Sequence, residues 1–200
     1  MLVEDVMTTE PVTVSPTATI KHAVELLERH RVTSLPVVKG AHLHGLVSEA
    51  DLIRDLVKAD PRTSLRPHRH AGDHPRYVED VMSRHAVTAR PETDLAVAVD
   101  LLTSTTIKSI PVVDDRGRLR GMLSRSDVVR TFARSDEALQ RAIVTSFASV
   151  GLADWIVEVQ DGVAEISGAD DAETADVTVA RVMASSVPGV VDVQAGPGPQ

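Results

Sequence analysis

The chain has no cysteine among its 200 residues. That absence excludes disulfides, thiolate metal ligands, redox pairs and cysteine nucleophiles together, and it suits a reducing compartment. Aromatic residues are nearly missing: Tyr77, Phe132, Phe147 and Trp155 are the only four. The core must therefore be built from Val, Leu, Ile and Ala, and stacking platforms for single-stranded nucleic acid are too few and too scattered. No apolar run approaches ~18 residues, so no membrane-spanning helix is expected. The opening Met1-Leu2-Val3-Glu4-Asp5 puts two acids where a secretory signal would carry basic residues, so a cytoplasmic location is expected. Phosphate-loop, zinc-protease, nucleophile-elbow and dinucleotide signatures (GxxxxGK, HExxH, GxSxG, GxGxxG) are also lacking, and an enzyme is not expected.

What is present suffices for a packed fold, since 42% hydrophobic and 25% charged residues argue against wholesale disorder. The charge is unevenly placed. Residues 135–200 hold 11 acids against Arg141 and Arg181, whereas residues 1–134 hold 18 acids and 19 bases. A shift that sharp marks two regions with different surfaces.

An internal repeat organises the first region. Val3-Glu4-Asp5-Val6-Met7 recurs unchanged as Val78-Glu79-Asp80-Val81-Met82, and residues 3–38 match residues 78–113 at 16 of 36 positions. After a one-residue insertion, residues 43–54 match 119–130 at 5 of 12. Each copy reads as strand, helix, strand, strand, helix. Val12-Thr13-Val14 is a short strand, and Ser15-Pro16 supplies an N-cap with proline at the first helical position. Ile20, Ala23, Val24 and Leu27, matched by Leu95, Ala98, Val99 and Leu102, recur at helical spacing and bury one face. Leu35–Val38 and Ile110–Val113 are apolar runs of strand length. Leu43–Val47 and Leu119–Leu123 return beyond turns, and Ser48 or Ser124 opens a last helix. Neither unit buries its sheet easily alone; packed on each other, they can.

Three stretches in order, twice, carry a resemblance. Asp5-Val6-Met7, Val32–Val38 and Gly45–Asp51, with Asp80-Val81-Met82, Ile107–Val113 and Gly121–Asp127, resemble a tandem pair of cystathionine-β-synthase (CBS) domains, a Bateman module, over residues 1–134. The resemblance implies two CBS βαββα units (1–58 and 77–134) related by pseudo-twofold symmetry, with two clefts that bind AMP, ADP, ATP or S-adenosylmethionine as regulatory ligands. No cofactor is required. It implies a homodimer as well. Its geometry crosses the copies. Asp51 with Ser48 would share a cleft with Met82, Val87, Ile107, Lys108 and Ser109; Asp127 with Ser124 would share one with Met7, Val12, Val32, Thr33 and Ser34. A carboxylate can accept from both ribose hydroxyls, and a serine hydroxyl donates or accepts beside it. The same Ser-x-x-Asp pattern also caps a helix, and the two roles are compatible. Lys108 stands where related modules place a phosphate-binding base, while its counterpart is Thr33, so the clefts should differ toward phosphate. Pro36 and Pro111 read as structural, and Met7 and Met82 suit core filling as well as ligand contact.

Residues 59–76 read as a basic, proline-containing linker. His68, His70 and His74 lie within it, but neither cysteine nor a clear helix holds them in metal-ligand geometry. Beyond the pair, Asp136–Val150 has helical spacing, Trp155–Gln160 and Val163–Gly168 flank an Asp161-Gly162 turn, and a helix over 172–186 precedes a strand at Val190–Val193. Val157–Val159, Asp161-Gly162-Val163, Ile166-Ser167-Gly168 and Val187–Val193 resemble a BON domain over 135–195, of αββαβ order, with a frayed tail at 196–200. The fold class expected is α/β (α+β). BON resemblance implies phospholipid association, but the acidic charge here favours a protein partner and leaves membrane contact the weaker alternative. An alternative to a ligand sensor is a stress-related or envelope-associated interaction protein acting through the BON-like domain, with a vestigial CBS pair.

Overall fold

The computed structural model describes residues 1–56, 75–168 and 174–195, so the histidine-bearing part of the linker, the residues before the last helix and the final five lie outside the described residues. The first copy contains α1 (Ile20–His30), β1 (Ser34–Lys39), β2 (His42–Ser48) and α2 (Glu49–Leu56). The second contains α3 (Leu95–Ser104), β3 (Ser109–Val113), β4 (Leu119–Ser124) and α4 (Arg125–Phe132). Then follow α5 (Asp136–Ser149), β5 (Ile156–Gln160), β6 (Val163–Ser167), α6 (Thr174–Ser186) and β7 (Asp192–Ala195).

β1 pairs antiparallel with β2, and β3 with β4, each with a bulge at the same place, between Val37 and Val38 and between Val112 and Val113. The strand expected at Val12–Val14 reduces to one parallel bridge, with Val14 N–H donating to Pro36 carbonyl at 3.1 Å and Val38 N–H to Val14 carbonyl at 2.9 Å. Continuing that ladder would need an N–H at residue 36 for the Val12 carbonyl, and proline has none. Pro111 does the same to the Ala89 bridge of the second copy. The helix expected from Pro16 begins later. Ser15 and Pro16 form a turn, and Thr19 is the N-cap of α1, its hydroxyl accepting from His22 N–H at 3.2 Å.

The opening segments are exchanged. Val3 and Val6 lie in a core with Ala89, Leu95, Ala98, Leu102, Ile110, Val112 and Leu123 of the second copy. Val78 lies in the first copy's core with Val14, Ile20, Leu27, Leu35 and Leu52, with Val81 and Met82 packed against it. Each segment is one turn of 3-10 helix, Val3–Asp5 or Val78–Asp80, whose aspartate accepts backbone N–H groups: Asp5 from Leu2 at 2.8 Å, Asp80 from Arg76 at 3.0 Å and Tyr77 at 2.9 Å. The exact repeat of Val-Glu-Asp-Val-Met follows from this double duty as cap and core.

The last region is an αββαβ unit. β5 and β6 are antiparallel, β6 and β7 parallel, and α5 and α6 cover one face through Leu139, Ile143, Phe147, Ala180 and Ala184. The last strand starts at Asp192, two residues later than expected, because Gly189 turns the chain at φ +103° and Val190 still bonds back to Val187. The Asp161-Gly162 turn has positive φ at both residues, and the Asp136 carboxylate accepts both their N–H groups at 2.9 Å. Gly189 packs on the second copy, where a Cβ would stand 2.7 Å from the Thr131 carbonyl oxygen, and Arg134 donates to the Pro188 carbonyl at 2.7 Å.

Candidate functional site

Two clefts open where the copies meet. The larger, about 470 Å³, is lined by Val12, Val32, Thr33 and Ser34 of the first copy and by Ser124 and Asp127 of the second. The smaller, about 300 Å³, is lined by Ser48 and Asp51 of the first copy and Ile107, Lys108 and Ser109 of the second. Both volumes fall in the range of small-molecule pockets. Thr33, Ser34, Lys108 and Ser109 line both clefts. Ser34 and Ser109, equivalent positions of the repeat, share a buried hydroxyl–hydroxyl hydrogen bond that forms part of the common wall.

Asp127 is 5% exposed. Its Oδ2 accepts from Ser124 N–H at 2.8 Å and Ser124 Oγ at 2.6 Å, its Oδ1 accepts from Thr8 Oγ1 at 3.0 Å, and Arg130 pairs with the same oxygen. A buried carboxylate needs this compensation. Ser124 caps α4, so the capping role of the motif is realised, and the cap leaves the carboxylate at the cleft wall. At the equivalent positions, Asp51 Oδ2 accepts from Ser48 N–H at 3.0 Å and Ser48 Oγ at 2.6 Å. No described residue donates to its Oδ1. A nucleoside diol could therefore bond Asp51 directly, whereas at Asp127 it would share an oxygen with Thr8 and Arg130.

Of the residues expected at these clefts, Met7, Met82 and Val87 line neither. The methionines cover glycines instead. A Cβ at Gly121 would lie 2.7 Å from Met7 Sδ and Thr8 carbonyl oxygen, and one at Gly45 would lie 2.6 Å from Ser83 carbonyl oxygen and 3.2 Å from Met82 Sδ. Val87 is half-exposed outside both clefts. Pro36, expected to be purely structural, also lines the larger cleft.

The two clefts do differ in charge, but Lys108 is not what separates them. The Asp127 cleft has Arg31, Lys108, Arg125 and Arg130 against Glu10 and Asp127, with His30 at its edge. The Asp51 cleft has Lys108 against Glu49 and Asp51. Lys108 thus serves both sides, and the contrast comes from positions where the copies differ: Thr106 stands for Arg31 and Glu49 for Arg125. Arg31, Arg125 and Thr8 escaped the sequence reading because it followed what the copies share; Arg130 matches Arg54 of the first copy and was missed because it lies a turn beyond the Ser-x-x-Asp motif. Arg125 is already committed, donating to the carbonyls of Leu102 at 2.8 Å and of Thr105 and Ile107 at 3.2 Å.

The CBS-domain family model matches residues 3–58 and 78–134. The CBS domain-containing protein YhcV of Bacillus subtilis is 32% identical over 126 residues, covering 63% of this chain and 81% of that protein. An inosine-5′-monophosphate dehydrogenase of Mycobacterium bovis is 30% identical over 156 residues, 75% of this chain but only 26% of that enzyme. Among solved structures, the CBS-pair protein CBSX2 of Arabidopsis thaliana, crystallised with AMP, is 33% identical with a TM-score of 0.54, covering 64% of this chain and 93% of that one. The exchanged opening segments, the paired sheets and the twofold family match agree: the chain belongs to the CBS-domain family and carries a tandem CBS pair.

Proposed function

We propose that the protein is a regulatory sensor whose CBS pair binds an adenosine-containing ligand and relays its occupancy through a homodimer or a protein partner. The observation that carries this reading is the placement of Ser48–Asp51 and Ser124–Asp127 on cleft walls, hydroxyl and carboxylate adjacent, as binding a ribose requires. The AMP complex of CBSX2 supports the ligand class. In this reading Val12, Val32 and Pro36 give the apolar seat for adenine, and the Val12 carbonyl, left without an N–H at Pro36, accepts from an exocyclic amine. Turnover is not required of any residue. A homodimer is supported by Ile53 on α2 and Val129 on α4, equivalent positions that are 54% and 68% exposed.

The C-terminal unit belongs in this reading as a BON-like partner-binding module. Its outer sheet face carries Glu158 opposite Glu165, with Gln194 beside it, and like charges paired across strands favour a cationic protein partner over anionic lipid. Among the described residues no helix is long and apolar enough to cross a membrane; a cytoplasmic location remains part of the proposal.

Thermal denaturation with AMP, ADP, ATP and S-adenosylmethionine tests the reading. Ligand at 100 times its Kd should add about 2.7 kcal/mol, or roughly 5–11 °C. The shift should shrink in Asp51→Asn or Asp127→Asn, which keep side-chain volume while removing charge. No shift with any of the four would leave the aspartates as helix caps and move the search to partners of the acidic unit.

A further inference from the structure

Resting on the adenosine reading, we infer that Arg31 is a specificity-determining residue that makes the Asp127 cleft select ligands with two or more phosphates. Arg31 ends α1 in the left-handed region at φ +53°. Its own N–H bonds to carbonyls of the last turn, and Val32 N–H reaches back to the Leu27 carbonyl at 3.1 Å. Glycine is the usual occupant of that position, because any side chain there is strained. The Arg31 guanidinium makes no hydrogen bond or ion pair with any described residue, and neither does the Lys108 ammonium. Both line the cleft that also holds Asp127 and Arg130. Two uncommitted cations from different copies thus face one cavity, beside a third that a ligand can recruit from Asp127.

The Asp51 cleft offers the internal comparison. The position of Arg31 is Thr106 there, that of Arg125 is Glu49, and both line the cavity. With two carboxylates and one shared ammonium, it disfavours a phosphate chain. A nucleoside with a short or absent chain fits it better. The ligand class of the larger cleft is accordingly a nucleoside di- or triphosphate, with its ribose at Asp127 and its chain toward Arg31 and Lys108. The fork of Arg31 can hold two phosphate oxygens at once.

The test titrates the full chain calorimetrically with AMP, ADP, ATP and inorganic tripolyphosphate, in wild type and Arg31→Gly. In wild type, ADP and ATP should bind at least about tenfold tighter than AMP, the worth of one charge-assisted contact. Arg31→Gly should erase that preference, bringing the affinities for ADP and ATP to within about threefold of that for AMP. It should also raise the Tm of the free protein, since glycine accepts the left-handed conformation without strain. Loss of affinity with a gain in stability cannot come from misfolding. An unchanged ATP-to-AMP ratio in Arg31→Gly, or a lowered Tm of the free variant, overturns the assignment. If AMP binds wild type and ATP binds no tighter, the role of Arg31 fails while the adenosine reading stands. If tripolyphosphate binds wild type but not the variant, and no nucleotide binds, the adenosine reading fails and the cationic role stands.

Discussion

Asp80 shows how much one surface side chain can do. Its carboxylate accepts the N–H groups of Tyr77 and Arg76 at the start of the exchanged 3-10 turn, and these bonds hold it below the ordinary aspartate range. Asp114, bonded chiefly by the Arg118 N–H, and Glu137, held by the Ser135 hydroxyl, are lowered too. A carboxyl group whose folded value is depressed favours the folded state only when ionised. Its contribution is complete above the unfolded value near 4 and is lost as pH falls through the lower folded value. Asp80→Asn should therefore lower the Tm at pH 7, and the gap to wild type should close as the pH is taken from 4 to 2. A gap that persists at pH 2 would assign the effect to shape rather than charge. At this scale the sequence was informative wherever a side chain acts locally: Ser124 and Asp127 read correctly as a cap. Arg31 was opaque, because nothing in its neighbours announces a left-handed residue beside a cavity.

At the scale of elements, α4 links two regions. Its first turn holds Ser124 and Asp127 at the cleft, and one turn later the Thr131 hydroxyl bonds the Asp127 carbonyl at 2.9 Å. The Thr131 carbonyl in turn abuts Gly189 of the C-terminal unit. Gly189→Ala should destabilise that unit by about 2–4 kcal/mol, combining left-handed strain with the clash of its Cβ. Gly151→Ala is the control. Its φ is +83° but nothing lies within 4 Å, so strain alone, about 1 kcal/mol, is expected. Hydrogen exchange should show α5, α6 and the three-stranded sheet loosened in the first variant and not in the second; equal effects would mean that Gly189 is not a docking contact. The helices were legible from periodicity, with Ile20, Ala23 and Leu27 buried as their spacing predicts. The missing strand at Val12–Val14 was not. It depended on a hydrogen bond that Pro36 cannot make to a segment twenty-odd residues away, and no local pattern encodes that.

At the scale of the whole molecule, the exchange of opening segments makes the two copies one folding unit. Val3 is fully buried and Val6 7% exposed in a core whose other members all come from residues 89–123. Removing residues 1–8 should cost roughly 3–6 kcal/mol from two buried valines alone, a large share of a small protein's stability. Urea denaturation should show a lower midpoint across the CBS pair, with the second copy failing although its own sequence is intact. Retention of the wild-type midpoint would refute the exchange. The repeat itself was plain in the sequence, but two copies in tandem are equally compatible with each completing its own core.

The hydroxyls of Ser34 and Ser109 meet across the axis that relates the copies, and either can be the donor. Only one hydrogen lies between them, so the symmetry is broken at its own centre. When Ser34 donates, the hydrogen of Ser109 is free to turn toward a cleft; when Ser109 donates, that of Ser34 is free. Both serines line both clefts. The pair therefore has a single hydrogen to offer between the two clefts, and an acceptor that takes it in one leaves only lone pairs facing the other.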